Sequence, residues 1–456
     1  MKKICIFALT LAMVAVSCQR EMLGVESIES REEVIISKYE VSQEEALQDL
    51  NSELNFLYGE STRSNGILVA DVKSVKLDDI VSSTRSVDIE VDDVLYIVEF
   101  ADGKGSAILG ADRRVEDVFA VLEEGVISIE DFQNAADGVE TDKLTTYLAG
   151  LIADEAMDQL LGDTTTLPFP GQGDELRYGY FEYTTIVEED EECFLRTKWG
   201  QGYPFNNLCY NEDGALCPAG CVTISAAQTI LYSYPSYPIP YGIILVDPEN
   251  EEATTSFDRR LLNLKCDDII LSPAQQLSVD AEVASYVYKL AQLLKIRLQP
   301  GGSRGKTSKI VDILTATGLY NEVDYVEVVN DDFMGVVRDQ LYIRKLPAPF
   351  RGGEVNSSSG HSWVLDAFKY LKQNEYLCTM EGNTLVDREF WGVKETKKVH
   401  CNFGWNGMCD GYYTFGMFDV SQVLDDEDIV GEIGDEPSSP MYNPFNVEPG
   451  IVVYEL

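Results

Sequence analysis

The sequence predicts an α+β fold in two unequal parts, on three observations. Residues 279–296 repeat apolar side chains at helical spacing, with Val283, Tyr286, Val287, Leu290, Leu293 and Leu294 on one side. From Glu322 onward the apolar runs shorten to strand length, at 325–329, 363–368, 376–380, 398–403, 412–415 and 451–454. Between 167 and 173, Pro168, Pro170, Gly171 and Gly173 block continuation of helix or strand and set apart a smaller region ahead of them.

The smaller region begins with a helix. Ser42 and Glu45 form a capping-box pattern, and Ala46, Leu47, Leu50, Leu54 and Leu57 recur at helical spacing up to Gly59. Residues 66–75 and 87–100 alternate apolar and polar side chains, and Asp102 and Gly103 mark a turn into 105–109. Residues 115–122 and 144–161 read as helices. This region carries no histidine, and no cysteine between Cys18 and Cys193, which suits a regulator or binding module better than a catalyst.

Beyond the boundary, the apolar positions Val222, Ile224, Ala226, Ala227, Ile230 and Leu231 predict a buried helix opening at Cys221. A proline-broken loop at 234–240 and an acidic stretch to Cys266 follow. Pro300 to Gly305 lacks the GxxxxGK[ST] spacing of a phosphate cradle and reads as a turn. A further helix at 308–317 leads into the strands. A helix-rich half followed by a sheet-rich half leaves a cleft between them.

The 456 residues carry 78 acidic and 35 basic side chains, a formal net charge of -43. Such a surface repels phosphate backbones and excludes nucleic acid as a partner. Lys2 and Lys3, an apolar stretch and small residues before Cys18 make residues 1–18 an export signal. Ala15, Val16, Ser17 and Cys18 match a bacterial lipoprotein box, in which Cys18 is the lipidation site; an ordinary cleaved signal is the alternative. Residues 19–39 read as a surface tether. No later segment is long and apolar enough for a transmembrane helix, so contact with a membrane is expected only through the lipid. Of ten cysteines, eight lie beyond the signal and its box. Cys209 with Cys217 and Cys401 with Cys409 could each close a local disulfide, with the pairing left open. Neither CxxC pairs nor histidines at ligand spacing occur, so no metal and no cofactor is expected.

The chemistry concentrates on three residues. Cys221 stands at a helix N-terminus, where unpaired backbone N–H groups and the helix dipole favour a thiolate. His361 and His400 are the two histidines available as its base. His361 follows a Gly- and Ser-rich stretch and starts a strand, a junction that presents an imidazole; His400 lies inside a strand. Gln201, in Trp199-Gly200-Gln201-Gly202, could donate to an oxyanion if the intervening loop folds back.

Four ordered motifs resemble streptopain and its relatives, cysteine peptidases of papain-like architecture. They are Thr197-Lys198-Trp199-Gly200-Gln201; Gly220-Cys221-Val222 leading to Ala226-Ala227-Gln228; Gly360-His361-Ser362-Trp363-Val364-Leu365-Asp366; and Asn402-Phe403-Gly404-Trp405-Asn406-Gly407. The resemblance implies a two-part peptidase domain, a helical half plus an antiparallel-sheet half, over 191–456. It implies an inhibitory propeptide of small α+β form over 40–163, with an activation linker at 164–190. Cys221 is then the nucleophile, His361 the general base and acid, and Gln201 with the Cys221 N–H the oxyanion donors. The family has tryptophan where this chain has Phe403, which leaves Asn402 and Trp405 to orient the imidazole. The expected protein is an exported cysteine endopeptidase made as a zymogen. Its partners are polypeptide substrates and its own propeptide, and it is held in the cell envelope or outer membrane, surface exposed or released after processing. The alternative is a catalytically silent surface lipoprotein that binds peptide or a partner in the same cleft.

Overall fold

A computed structural model of the protein describes residues 39–59, 67–81, 91–139, 143–162, 177–235, 241–266, 269–327, 333–353, 360–381, 384–418 and 449–456. The signal, the lipoprotein box and nearly all of the tether lie outside them, as do residue 163 and 164–176 of the expected linker.

The N-terminal module runs α1 (Gln43–Tyr58), β1 (Val69–Lys76), α2 (Leu77–Ile80), β2 (Asp93–Phe100), β3 (Ser106–Gly110), β4 (Val118–Leu122), α3 (Ile129–Ala136) and α4 (Leu144–Gly162). The Ser42–Glu45 capping box is formed in both directions, and α1 buries Ala46, Leu50, Leu54 and Leu57. Asp102 and Gly103 take positive φ in the turn from β2 to β3. Residues 115–122, expected as a helix, hold β4 instead. All five β4 residues are buried, so both faces are apolar and the period-two signal of a strand is erased.

The peptidase region follows with β5 (Arg177–Glu191), α5 (Cys221–Ser233), β6 (Gly242–Asp247), β7 (Asn250–Asp258), α6 (Arg259–Asn263), α7 (Pro273–Leu293), α8 (Lys309–Thr317), β8 (Asn321–Glu327), α9 (Phe333–Arg338), β9 (Ala348–Gly353), β10 (Gly360–Glu381), β11 (Thr384–Asn402), β12 (Gly411–Thr414) and β13 (Gly450–Glu455). Helices α5, α7 and α8 share one core, in which Ile224, Ala227 and Ile230 meet Val283, Tyr286, Val287 and Ile310. The strands make the other half. The α+β class, with a helical half and an antiparallel half behind a small α+β module, is thus the architecture observed.

Two sequence expectations change. The runs at 363–368 and 376–380 are one strand, β10, paired with β11 from Val364↔Asn402 to Glu381↔Thr384. Residues 177–191, read as linker, are β5, antiparallel to β10 from Phe368↔Glu191 to Glu381↔Arg177. Tyr183, Thr184, Thr185, Ile186 and Val187 favour strand, a preference masked by the acidic run that follows.

All the strands but β6 and β7 belong to one antiparallel sheet of order β1-β2-β3-β4-β12-β11-β10-β9-β13-β8, with β5 also on β10. The module enters it through β4 on β12, with Gly411↔Leu122, Tyr412↔Val121 and Tyr413↔Ala120 in register. Its side chains join the core of the larger region, where Phe119, Tyr147, Leu148 and Leu151 pack with Phe350, Trp363, Tyr413 and Phe415. Lys398 of β11 is buried in this seam and donates to Glu116 at 3.1 Å, to Thr414 Oγ1 at 2.6 Å and to the Val118 carbonyl. Two of those three acceptors belong to the module.

Neither expected disulfide forms: Cys209, Cys217, Cys401 and Cys409 are all buried free thiols. Cys217 instead donates to the Ala215 carbonyl at 3.3 Å, and Cys401 faces Trp363 within the sheet core.

Candidate active site

The site is built where α5 meets β10. Gly220, at φ 92, is the residue before α5, a backbone conformation that glycine adopts without the clash a Cβ brings. It delivers Cys221 as the first helical residue. The Ala219 N–H donates to the Gln201 carbonyl at 2.9 Å, so the loop between Gln201 and Cys221 does fold back. Gln228, about two turns into α5, ties the motifs together. It accepts from Thr197 Oγ1 at 2.7 Å and from the Trp199 N–H at 3.3 Å, and donates to Asn402 Oδ1 at 2.9 Å.

Cys221, Gln201 and His361 line one cavity of about 510 Å³, with Ser362, Trp405 and Arg351 on its walls. The Ser362 backbone hydrogen-bonds the Cys221 sulfur, and Ser362 Oγ meets Ser225 Oγ of α5 at 3.0 Å, so the residue after His361 is tied to the nucleophile's helix. The His361 ring lies 6.3 Å from that of Trp405, edge-on. Sequence reasoning therefore finds three residues that the fold assembles.

Asn402 behaves differently. Its amide donates to the Thr197 carbonyl at 2.7 Å and accepts from Gln228 and from the Gly404 N–H. It braces the Trp199 segment against α5 and leaves Trp405 as the ring against the imidazole. Phe403 is buried against Trp363, at 5.4 Å between centroids, so a phenyl ring at this position removes nothing from the cavity wall.

Two contributors escaped the sequence. The loop at 301–305, read as a turn, forms a wall of the cavity, and Ser303 Oγ donates to the Pro218 carbonyl at 2.6 Å just ahead of the nucleophile. The glycine run was the available signal. The second is Tyr147 of α4, whose ring lies 5.3 Å from that of His361. Its hydroxyl crowds Gly352, the β9 residue paired with His361, to the point where a Cβ there would stand 2.3 Å from it.

The helix terminus does not make a thiolate in this state. Burial pushes the Cys221 thiol up, and the backbone N–H groups of Ser362, Val222 and Cys221 itself only partly oppose it. Desolvation of the charged form outweighs the helix dipole.

A thiol at a helix N-terminus, an imidazole beside it and an amide donor across an open cleft define a cysteine-type peptidase. Residues 199–413 match the model of the peptidase C10 family, so the streptopain-like resemblance carried by the four motifs holds across that stretch. No curated protein sequence matches the chain. Among solved structures, a mutant fragment of prointerpain A from Prevotella intermedia is 18% identical, covers 84% of this chain and 98% of its own, and superposes with a TM-score of 0.46. The active wild-type interpain A cysteine protease of the same organism is 21% identical, covers 58% of this chain and 94% of its own, and has a TM-score of 0.36.

Proposed function

We propose that the protein is an exported, lipid-anchored cysteine endopeptidase made as a zymogen, with residues 40–163 as its inhibitory propeptide. The observation that carries this reading is Tyr147, a propeptide side chain packed on the imidazole of His361 within the shared core. In the freed enzyme His361 takes the Cys221 proton and the thiolate attacks the peptide carbonyl. The Cys221 N–H and the Gln201 amide stabilise the oxyanion, and the imidazolium protonates the leaving amine before water hydrolyses the thioester. Trp405 is the ring that orients the imidazole. In the uncut chain the raised Cys221 thiol holds the nucleophile in its protonated form.

Activation requires a cut between α4 and β5, after which the module must leave the sheet. An irreversible peptidyl cysteine-protease probe, read by mass spectrometry before and after limited proteolysis, tests this. Labelling of Cys221 only after the cut, and none in Cys221→Ala, is the expected result. Labelling without a cut removes the inhibitory role of the module. The competing reading is a silent surface lipoprotein that binds peptide in the cleft, and the raised Cys221 thiol favours it; absence of labelling in either state selects it. Anchoring through Cys18 is tested separately, by incorporation of a labelled fatty acid that Cys18→Ala abolishes.

A further inference from the structure

The second histidine belongs to another constellation, built on the seam between the module and the peptidase sheet. His400 of β11 is 5% exposed. Its Nδ1 shares a 2.6 Å hydrogen bond with Oδ1 of Asp366 on β10, and Asp366, fully buried, accepts the Leu195 N–H on Oδ2 at 3.1 Å. Cys193, just past β5, adds its sulfur. That sulfur, an Asp366 oxygen and a His400 nitrogen all lie within 4.8 Å of one another. On the other side of the ring, Nε2 is buried without a hydrogen-bond partner, and the Glu123 carboxylate of the module stands 3.9 Å from it. Tyr412 closes the space, its hydroxyl 3.5 Å from the Cys193 sulfur and its ring edge-on to the imidazole.

We propose that Cys193, His400 through Nε2 and Glu123 of the module bind one zinc-like divalent cation at this seam, with Asp366 holding the ring from its other nitrogen. A thiolate, an imidazole and a carboxylate are a donor set that zinc favours over harder cations. The 2.6 Å hydrogen bond between Nδ1 and Asp366 fixes the ring and leaves Nε2 to the ion. A buried nitrogen without a partner is a cost that a bound ion removes. Glu123 keeps Lys198 at 3.4 Å on its Oε2 and presents Oε1 to the ring, and binding of the cation displaces the Cys193 thiol proton to solvent. Donors on a tetrahedral zinc stand about 3.3–3.8 Å apart; His400 Nε2 and Glu123 stand 3.9 Å apart and the Cys193 sulfur lies within 4.8 Å of a His400 nitrogen, so these pairs close by at most about 1.5 Å on binding. The sequence gives no such signal because the residues come from four separated segments at 123, 193, 366 and 400.

The test uses the full chain carrying Cys221→Ala, so that the catalytic thiol cannot compete. After chelator treatment and dialysis, cobalt(II) is titrated in, followed by zinc. Expected are one cobalt per chain, a thiolate-to-cobalt charge-transfer band, and displacement of that band by zinc. Zinc should also raise the melting temperature. Adding Cys193→Ser removes the band and the zinc-dependent melting shift. Adding Glu123→Gln keeps the band and weakens binding about tenfold or more. No uptake by the parent chain, or a band that survives Cys193→Ser, overturns the site. An unchanged affinity in Glu123→Gln overturns the share assigned to the module.

Discussion

Cys221 with His361 and Cys193 with His400 are the same two residue types doing different work. The first pair sits on a cavity of about 510 Å³, and the groups acting on its sulfur are backbone N–H groups. The second pair is walled by Tyr412 and flanked by two carboxylates. Burial alone would lower the His400 pKa, but the Cys193 thiol and the Asp366 carboxylate beside it hold it well above the ordinary imidazole range. Donor identity therefore leaves the chemistry open, and space and neighbouring charge decide it. Room beside a sulfur admits a substrate; carboxylates around a ring admit a proton or a cation.

The largest expected effect sharpens that contrast. Cys221→Ala should lower kcat/KM on a peptide substrate by about 10⁴-fold or more in the cut enzyme, with Cys193→Ser losing far less; equal losses would erase the distinction. Next, Gln201→Ala should cut kcat about 10²–10³-fold with little change in KM, whereas a rise confined to KM would make Gln201 a binding residue only. On the seam side, Lys398→Ala leaves buried acceptors of the module without their cation. Chemical denaturation of the uncut chain should show a loss of about 3–5 kcal/mol.

The smallest effect is a pH dependence. Asp49 of α1 is pushed up to about 6 from an ordinary 3.8, first by burial and then by Asp117. The unfolded chain ionises at lower pH than the folded one, so this group costs nothing below about pH 4, and its penalty grows until about pH 6 and persists above. Asp49→Asn should therefore stabilise the uncut chain at pH 7.5 and not at pH 4. Since Asp49 is exposed at the surface of α1, solvent screening discounts this to about 1 kcal/mol or less. Equal stabilisation at both values would assign the effect to something other than ionisation.

Much of this was legible in residue order. The α1 cap, the α5 and α7 apolar stripes and the loop-to-strand setting of His361 are local patterns, and local patterns survive in sequence. What escaped was non-local. β4 hid because both its faces are covered, one by a partner the sequence does not adjoin. Tyr147 looks like any core aromatic of a helix until α4 is laid against β9 and β10. Cys193, Asp366 and His400 meet only because β10 and β11 pair and β5 ends beside them. Asn402 was found through the resemblance, and its bonds to Thr197 and Gln228, from segments far off in the chain, are visible only in the fold.

The pairing of β4 with β12 bears on how activity would appear over time. Under the zymogen reading, a cut between α4 and β5 frees an end but breaks none of the ladder, the shared core or the Lys398 contacts. The cleaved module then behaves as a one-to-one inhibitor already bound, and the rate of appearance of activity is its off-rate rather than the rate of cleavage. Dilution would switch the enzyme on, and a concentrated preparation would hold itself off. After cleavage is complete on a gel, a slow first-order rise of activity on dilution, with a plateau that falls as protein concentration rises, is the kinetic signature of a sheet that must come apart strand by strand.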